Sequence, residues 1–122
     1  MDIIISNASG KPIYEQIVSQ IKQLILSNAL QAGDALPSMR LLAKDLRISV
    51  ITTKRAYEEL EREGFIETIV GKGSFVASKN EDFLKEEQLR LIEGHLHKAT
   101  ALARQCGIAE EELVSIIHLL YQ

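Results

Sequence analysis

The sequence is poor in cysteine and has no long apolar run. Among its 122 residues there is one cysteine, Cys106, which can form no disulfide within the chain and falls far short of a zinc site. No apolar segment approaches the roughly 18 residues that a membrane-spanning helix needs. The N-terminus lacks a basic region followed by an apolar block, so no export signal is expected. These absences predict a cytoplasmic chain without a membrane partner.

The sequence also lacks the residue sets that enzymes and metal sites require. Its three histidines, His95, His97 and His118, have no partners at metal-binding spacing. There is no nucleophile–base pair and no phosphate-binding loop, and the length leaves no room for a separate cofactor domain. We therefore expect no enzyme, no metal and no cofactor. Cys106 is interpreted as a small buried hydrophobic residue, and the alternative of a redox sensor is disfavoured because no basic neighbour activates its thiol.

The formal net charge of −3 is unevenly distributed. Residues 1–79 carry ten Lys and Arg against nine Asp and Glu, whereas residues 80–122 carry four against eight. An acidic total argues against indiscriminate nucleic-acid binding, but a specific site needs only a local basic patch. The first 79 residues are therefore the better candidate for binding an anion.

Two helical patterns come first in the chain. Apolar residues recur at helical spacing from Pro12 to about Asn28, while residues 2–9 are compatible with either a strand or a clamped arm. Pro37 and Ser38 predict the start of a short second helix, with the Ser38 hydroxyl as its cap. The inner side of this helix is assigned to Leu41, Leu42 and Leu46.

A third helix and a hairpin follow. The helix begins after a tight turn at residues 47–49, with Ser49 as a cap, and it ends at Gly64. Residues 65–69 and 74–77 then predict two strands, because the glycines of the connecting residues 70–73 favour a hairpin turn. The inner stripe of the third helix consists of Thr53, Ala56, Tyr57 and Leu60, and its outer face consists of Ile51, Lys54, Arg55 and Glu58.

This order of elements is that of a winged helix-turn-helix, an α+β fold that binds DNA through its third helix in the major groove. The cations and hydroxyls of that helix, Ser49, Thr52, Lys54 and Arg55, lie near its N-terminal half, and acidic residues follow. The polarity favours docking by the N-terminal end, where the helix dipole attracts an anion. Gly71, Lys72 and Gly73 would let bare backbone and one lysine approach phosphate or a minor groove.

Four separated segments of the chain carry motifs of a known protein family. The motifs PIYEQI (12–17), LPSMRLLAKDL (36–46), IS..TTKRAYEELEREGFI (48–66, with Val50 and Ile51 as the gap) and GKGSFV (71–76) closely resemble the GntR family of bacterial transcription regulators. The short C-terminal part with GIAEEEL (107–113) resembles the YtrA subfamily, whose members are compact dimers and often repressors of transporter operons. The resemblance implies a sequence-specific DNA-binding regulator.

The family's DNA contacts transfer residue by residue. Arg40 matches an arginine that holds the DNA backbone or a base, Thr52 and Lys54 match contacts of the third helix, and Gly71 matches a wing glycine in the minor groove. Val50 and Ile51 depart from the pattern, and methyl contacts to thymine would replace the polar readout there. The full predicted DNA surface is Ser38, Arg40, Ser49, Val50, Ile51, Thr52, Lys54, Arg55, Gly71, Lys72 and Gly73.

Residues 80–122 are expected to form a helical dimerisation tail behind a DNA-binding domain at residues 1–79. Asn80 caps the first helix of the tail, which ends at Gly107. The last helix has apolar residues over more than half its circumference, so part of that surface needs a partner. Its candidate contacts are Leu113, Ile116, Ile117, Leu120 and Tyr121. A homodimer would present two third helices to a palindromic operator.

Two questions stay open from sequence. The acidic total is compatible with a winged-helix protein-interaction module that has lost DNA binding, although Arg40, Lys54, Arg55 and Lys72 oppose this alternative. The sequence also leaves a small-molecule effector undetermined. Two short helices should enclose no sizeable pocket, so we expect any effector to act at the dimer interface or between tail and DNA-binding domain.

Overall fold

A computed structural model describes residues 1–78 and 81–122 of the chain. They divide into two compact units, Met1–Glu81 and Asp82–Gln122. The predicted boundary between residues 79 and 80, and the predicted cap at Asn80, lie outside the described residues. The elements are α1 (Ile13–Leu26), α2 (Met39–Leu46), α3 (Val50–Arg62), β1 (Ile66–Ile69), β2 (Gly73–Val76), α4 (Glu81–Cys106) and α5 (Glu110–Leu120). The predicted winged helix-turn-helix followed by two helices is thus confirmed.

The core of the first unit forms where α1 and α2 pack against α3. Ile17, Ile21 and Leu60 are fully buried, and burying each such side chain stabilises the fold by about 1.5–3 kcal/mol. The predicted inner stripe of α3 is confirmed, including Thr53, whose buried hydroxyl donates to the Ser49 carbonyl at 3.0 Å. The pattern of α3 therefore turns Lys54 and its outer neighbours to the surface.

The inner side of α2 differs from the prediction at one position. Leu42 and Ala43 are buried, but Leu41 is 50% exposed. An eight-residue helix has room for little more than one apolar stripe, and the stripe centred on Leu42 and Ala43 leaves Leu41 at its edge. Arg47 ends α2 with a φ of 57°, which starts the tight turn into α3.

The wing is an antiparallel hairpin in which Ile66 pairs with Val76 and Ile69 with Gly73. The first strand is one residue shorter than predicted, and the second has the predicted length but begins and ends one residue earlier. Phe65 belongs to the turn after α3, because its N–H donates to the Leu60 carbonyl. Ala77 lies just past β2 and donates to the Phe65 carbonyl.

A third segment pairs with the wing. Ala35 forms a bridge with Phe75, the Leu36 N–H donates to the Ser74 carbonyl at 2.9 Å, and the Val76 N–H donates to the Asp34 carbonyl at 2.8 Å. This pairing joins the chain before α2 to the wing.

Residues 2–9 form a clamped arm along α1, which resolves the two alternatives left by the sequence. The Gln20 side chain accepts from the Ile4 N–H at 2.8 Å and donates to the Ile4 carbonyl at 2.7 Å. The Gln16 side chain makes the same pair of bonds with Ser6, at 2.8 and 2.9 Å. Because Ile3 is also buried, the arm is an ordered part of the first unit.

The second unit exposes most of its apolar side chains. Gly107, with a φ of 73°, ends α4 as predicted, and the Ile108 N–H returns to the Ala103 carbonyl at 2.8 Å. Cys106 is exposed, so the prediction of a buried thiol was wrong. Near its C-terminal end, α4 buries the side chain of Ala103, and Cys106 lies on a part of the helix surface that no other element covers. Within the described residues, no helix is long and apolar enough to cross a membrane.

The expectation that the tail encloses no sizeable pocket stays a prediction, because the space found there is an open cleft. A cleft of about 310 Å³ lies between α4 and α5, lined by Thr100, Ala103, Arg104, Ile108, Glu110 and Leu113. The turn at Gly107 separates the two helices enough to leave this space. Its volume is at the lower end of the range typical of ligand sites.

Candidate nucleic-acid interface

The N-terminal turn of α3 presents hydroxyls and methyl groups at the surface. Ser49 caps the helix, since its Oγ accepts from the Thr52 N–H at 3.1 Å and lies 3.2 Å from the Thr52 Oγ1. Val50 is 44% and Ile51 80% exposed, so both present methyl groups at the surface. The turn therefore combines the positive end of a helix dipole with side chains suited to thymine methyl groups.

The two cations in the N-terminal half of α3 are placed differently. The Lys54 Nζ lies 3.9 Å from a Glu58 carboxylate oxygen, with both side chains more than 60% exposed, so water screens this pair and it contributes little. The Arg55 guanidinium lies over the Tyr14 ring, with 3.8 Å from its central carbon to the ring centroid. Lys54 is thus free to move to a phosphate, whereas Arg55 is held against α1. The sequence pattern did not predict this contact of Arg55 with Tyr14.

The acidic half of α3 has partners inside the first unit. Glu63 accepts from the Lys22 ammonium on α1 at 2.6 Å. Glu59 is paired with Arg62, whose hydrogen bonds hold the pKa of the Glu59 carboxyl below its usual value. Glu61 accepts from the Thr68 hydroxyl of the wing at 3.2 Å. These carboxylates therefore stabilise the fold at the end of α3 away from its basic turn.

Arg40 lies in the first turn of α2, beside the cap formed by Ser38, whose Oγ accepts from the Leu41 N–H at 3.1 Å. Its side chain is exposed and makes no hydrogen bond or ion pair with any other residue that the structure describes. Tyr57 fixes this end of α2 relative to α3, because its hydroxyl donates to the Pro37 carbonyl at 2.7 Å. Burial of the ring also raises the pKa of Tyr57.

The tip of the wing is a tight turn closed by the Lys72 N–H, which donates to the Ile69 carbonyl at 2.9 Å. Gly71 and Gly73 have φ values of 80° and 107°, a region that side chains disfavour, so the turn requires glycine at both positions. Lys72 is exposed, and Val70 beside it is 97% exposed. The sequence pattern did not single out Val70.

All eleven residues predicted to contact DNA lie in the first unit, and all of them are exposed except Thr52, which is half-buried. They occupy α2, the N-terminal half of α3 and the wing tip. These are the three elements that a winged helix-turn-helix uses on a duplex.

The predicted dimer contacts lie in the second unit. Leu113 is half-buried, while Ile116, Ile117, Leu120 and Tyr121 are exposed. Further exposed apolar residues of α4 and α5 were not among the predicted contacts: Leu89, Leu91, Ile92, Leu96, Leu102, Val114 and Leu119. The unit thus carries a large apolar surface.

Comparison with known proteins identifies the family to which the chain is similar. The sequence model of the bacterial regulatory proteins of the gntR family matches residues 13–76. The transcriptional repressor YtrA of Bacillus subtilis is 39% identical over 91% of this chain and 85% of its own.

Two solved structures have the same fold over nearly the whole length. A transcriptional regulator from Oenococcus oeni superposes with a TM-score of 0.79 at 30% identity, covering 100% of this chain and 98% of the other. YtrA from Sulfolobus acidocaldarius, a GntR-family factor, gives 0.59 at 36% identity, covering 98% and 96%.

A winged helix-turn-helix that exposes Lys54 and Arg55 in the first half of α3 and Lys72 at the wing, together with these matches, identifies a DNA-binding transcription regulator, a non-enzymatic class. The chain belongs to the GntR family of such regulators, as its motifs indicated, and its similarity to YtrA extends through both units.

Proposed function

We propose that this chain is a cytoplasmic, dimeric repressor that binds a palindromic operator in front of a transporter-type operon. The observation that carries the proposal is the exposed N-terminal half of α3, with Lys54 and Arg55 on its outer face and no carboxylate before Glu58. The repressor name of the Bacillus subtilis relative supports the direction of regulation, and the YtrA resemblance supports the operon type.

The proposed contacts divide into two kinds. Arg40 and Lys72 position the protein on phosphates, together with Ser38, Ser49, Gly71 and Gly73 at the helix caps and wing turn. Val50, Ile51, Thr52 and Lys54 read base edges in the major groove, and Arg55 supports them from the second turn. Phosphate contacts set register without carrying sequence information, whereas contacts to base edges carry it.

The second unit supplies the proposed dimer contacts. Leu113, Ile116, Ile117, Leu120 and Tyr121 are candidates because three of them are exposed on α5 and Tyr121 is exposed directly after it. A two-fold pair would place two α3 helices on half-sites about one helical turn apart, or a multiple of it.

The test is selection of bound sequences from random duplexes, followed by fluorescence anisotropy on the selected site at several salt concentrations. We expect a palindromic consensus and an affinity that falls steeply with salt, because bound cations release counterions from DNA. Lys72→Ala should reduce the affinity and the salt slope, because it removes a proposed phosphate contact, while Lys98→Ala on α4 is the matched control. No selected consensus and no salt dependence would instead indicate a protein-interaction module.

A further inference from the structure

The first unit contains a groove that the DNA surface does not use. It has a volume of about 640 Å³ and lies between the N-terminal arm and α2, with one wall at Ile4 and the other at Leu41. Ile4 is 74% and Leu41 50% exposed, so both present aliphatic surface to the groove. This volume is within the range of sites for small organic molecules.

The walls of the groove are ordered. The arm is held on α1 by the paired hydrogen bonds of Gln20 with Ile4 and of Gln16 with Ser6. The opposite wall belongs to α2, whose Leu42 is anchored in the core. A site between two ordered walls costs a ligand less binding energy than one that must first be assembled.

The charge of the groove is negative. Among its eleven lining residues, all within the described part of the chain, the charged side chains are the carboxylates of Asp2 and Asp45. The α-amino group of Met1 brings the net formal charge to −1. Neither carboxylate forms an ion pair with another residue that the structure describes. The groove therefore combines aliphatic walls with two unpaired carboxylates that can accept hydrogen bonds from a cation.

We propose that this groove binds a small amphipathic cation, an ammonium or guanidinium group on an apolar body. The apolar body lies between Ile4 and Leu41, and the cationic head lies at Asp45 and Asp2. The site is independent of the proposed operator contacts, although Leu41 follows Arg40 directly on α2, and it is tested on the protein without DNA.

The probes are octylammonium, 1-octanol and octanoate, which share one alkyl chain and differ in charge. Binding is followed by calorimetry and by amide chemical shifts of the full-length protein. We expect saturable 1:1 binding of octylammonium with shifts on the arm and α2, weaker binding of octanol and the weakest binding of octanoate. Asp45→Asn should weaken octylammonium binding by up to about fivefold, the upper end for an exposed ion pair, and leave octanol binding unchanged.

Glu86→Gln removes an exposed carboxylate of α4 and is the matched control, which should change nothing. Asp2→Asn provides a second variant at the groove if Asp45→Asn proves unstable. Equal affinity for octylammonium and octanol, shifts confined to the second unit, or equal effects of Asp45→Asn and Glu86→Gln would overturn the proposal. So would a change of sedimentation in Leu41→Asn, because the groove would then be covered by a second copy of the chain.

Discussion

The guanidinium of Arg55 on α3 stacks on the ring of Tyr14 on α1, 3.8 Å from its centroid. The contact joins the outer face of the proposed recognition helix to the first helix of the unit. The N–H donors of a guanidinium lie in its own plane, so a guanidinium that lies over a ring keeps them free for a phosphate or a base edge. Tyr14 therefore orients a cation that would otherwise sample many rotamers.

Replacing Tyr14 tests this relationship. Tyr14→Ala should weaken operator binding about threefold to tenfold, since an exposed to partly desolvated cation–π contact contributes about 0.5–1 kcal/mol or more. Tyr14→Phe keeps the ring and should bind like the parent. Both are measured by fluorescence anisotropy at one salt concentration. Equal loss in the two variants would show that the hydroxyl matters instead of the stacking.

The division between positioning and reading is tested by Arg40 and Ile51. Arg40→Ala should weaken all duplexes alike, because a phosphate contact carries no sequence information. Substitution of Ile51 by Thr should change the preference at one or two base pairs, by about 1–3 kcal/mol each. Affinities are measured on a panel of single-base operator variants. An Arg40→Ala protein with full affinity and altered preference would contradict the assignment.

The buried hydroxyl of Tyr57 predicts a pH dependence of stability. Tyr57→Phe leaves the Pro37 carbonyl without its donor and should cost about 1–2 kcal/mol of unfolding free energy at pH 7. Burial raises the pKa of Tyr57 in the folded state above its unfolded value of 10.0. The folded state therefore keeps the phenol protonated, and this contribution is complete below pH 10 and declines as the pH rises above it.

Urea unfolding at pH 8, 10 and 11 measures this effect. The parent should lose stability relative to Tyr57→Phe above pH 10, by up to about 1.4 kcal/mol for each pH unit. A constant difference between the two proteins across this range would show that Tyr57 ionises equally in both states.

Gly94 and Gly107 form a matched pair in the second unit. A methyl group at Gly94 meets no atom within 4 Å, and the residue lies within α4, so Gly94→Ala should raise stability by about 0.8–1 kcal/mol. Gly107 has equal space but a φ of 73°, so Gly107→Ala should lower stability by about 1 kcal/mol. Thermal unfolding compares them. Destabilisation by Gly94→Ala would reveal a second chain packed closely at that position.

The proposed dimer is tested by sedimentation at micromolar concentration. The full-length chain should sediment as a dimer, and a chain truncated to residues 1–79 as a monomer with much weaker operator affinity, since one half-site then binds alone. Leu120→Asp tests the same surface in the full-length chain. A full-length monomer, or a truncated chain that still dimerises, would exclude the tail as the interface.

Much of the first unit could be predicted because its signals are local. The cap at Ser49, the stop at Gly64 and the buried stripe through Thr53 and Leu60 follow from backbone chemistry and helical spacing, and the structure has all of them. Leu41 and Cys106 were predicted wrongly. A side chain at the edge of a stripe is buried only if a neighbouring element covers it, and the sequence pattern contains no information on that neighbour.

The sequence by itself determined the order of elements, the ends of the helices and the residue types on the outer face of α3, because each depends on residues within a few positions of one another. Tertiary structure decided the clamping of the arm by Gln16 and Gln20, the pairing of Ala35 with Phe75 and the stacking of Arg55 on Tyr14. These contacts join residues 10 to 41 positions apart. They form only after hydrophobic burial has brought the helices together, so no local pattern in the chain encodes them.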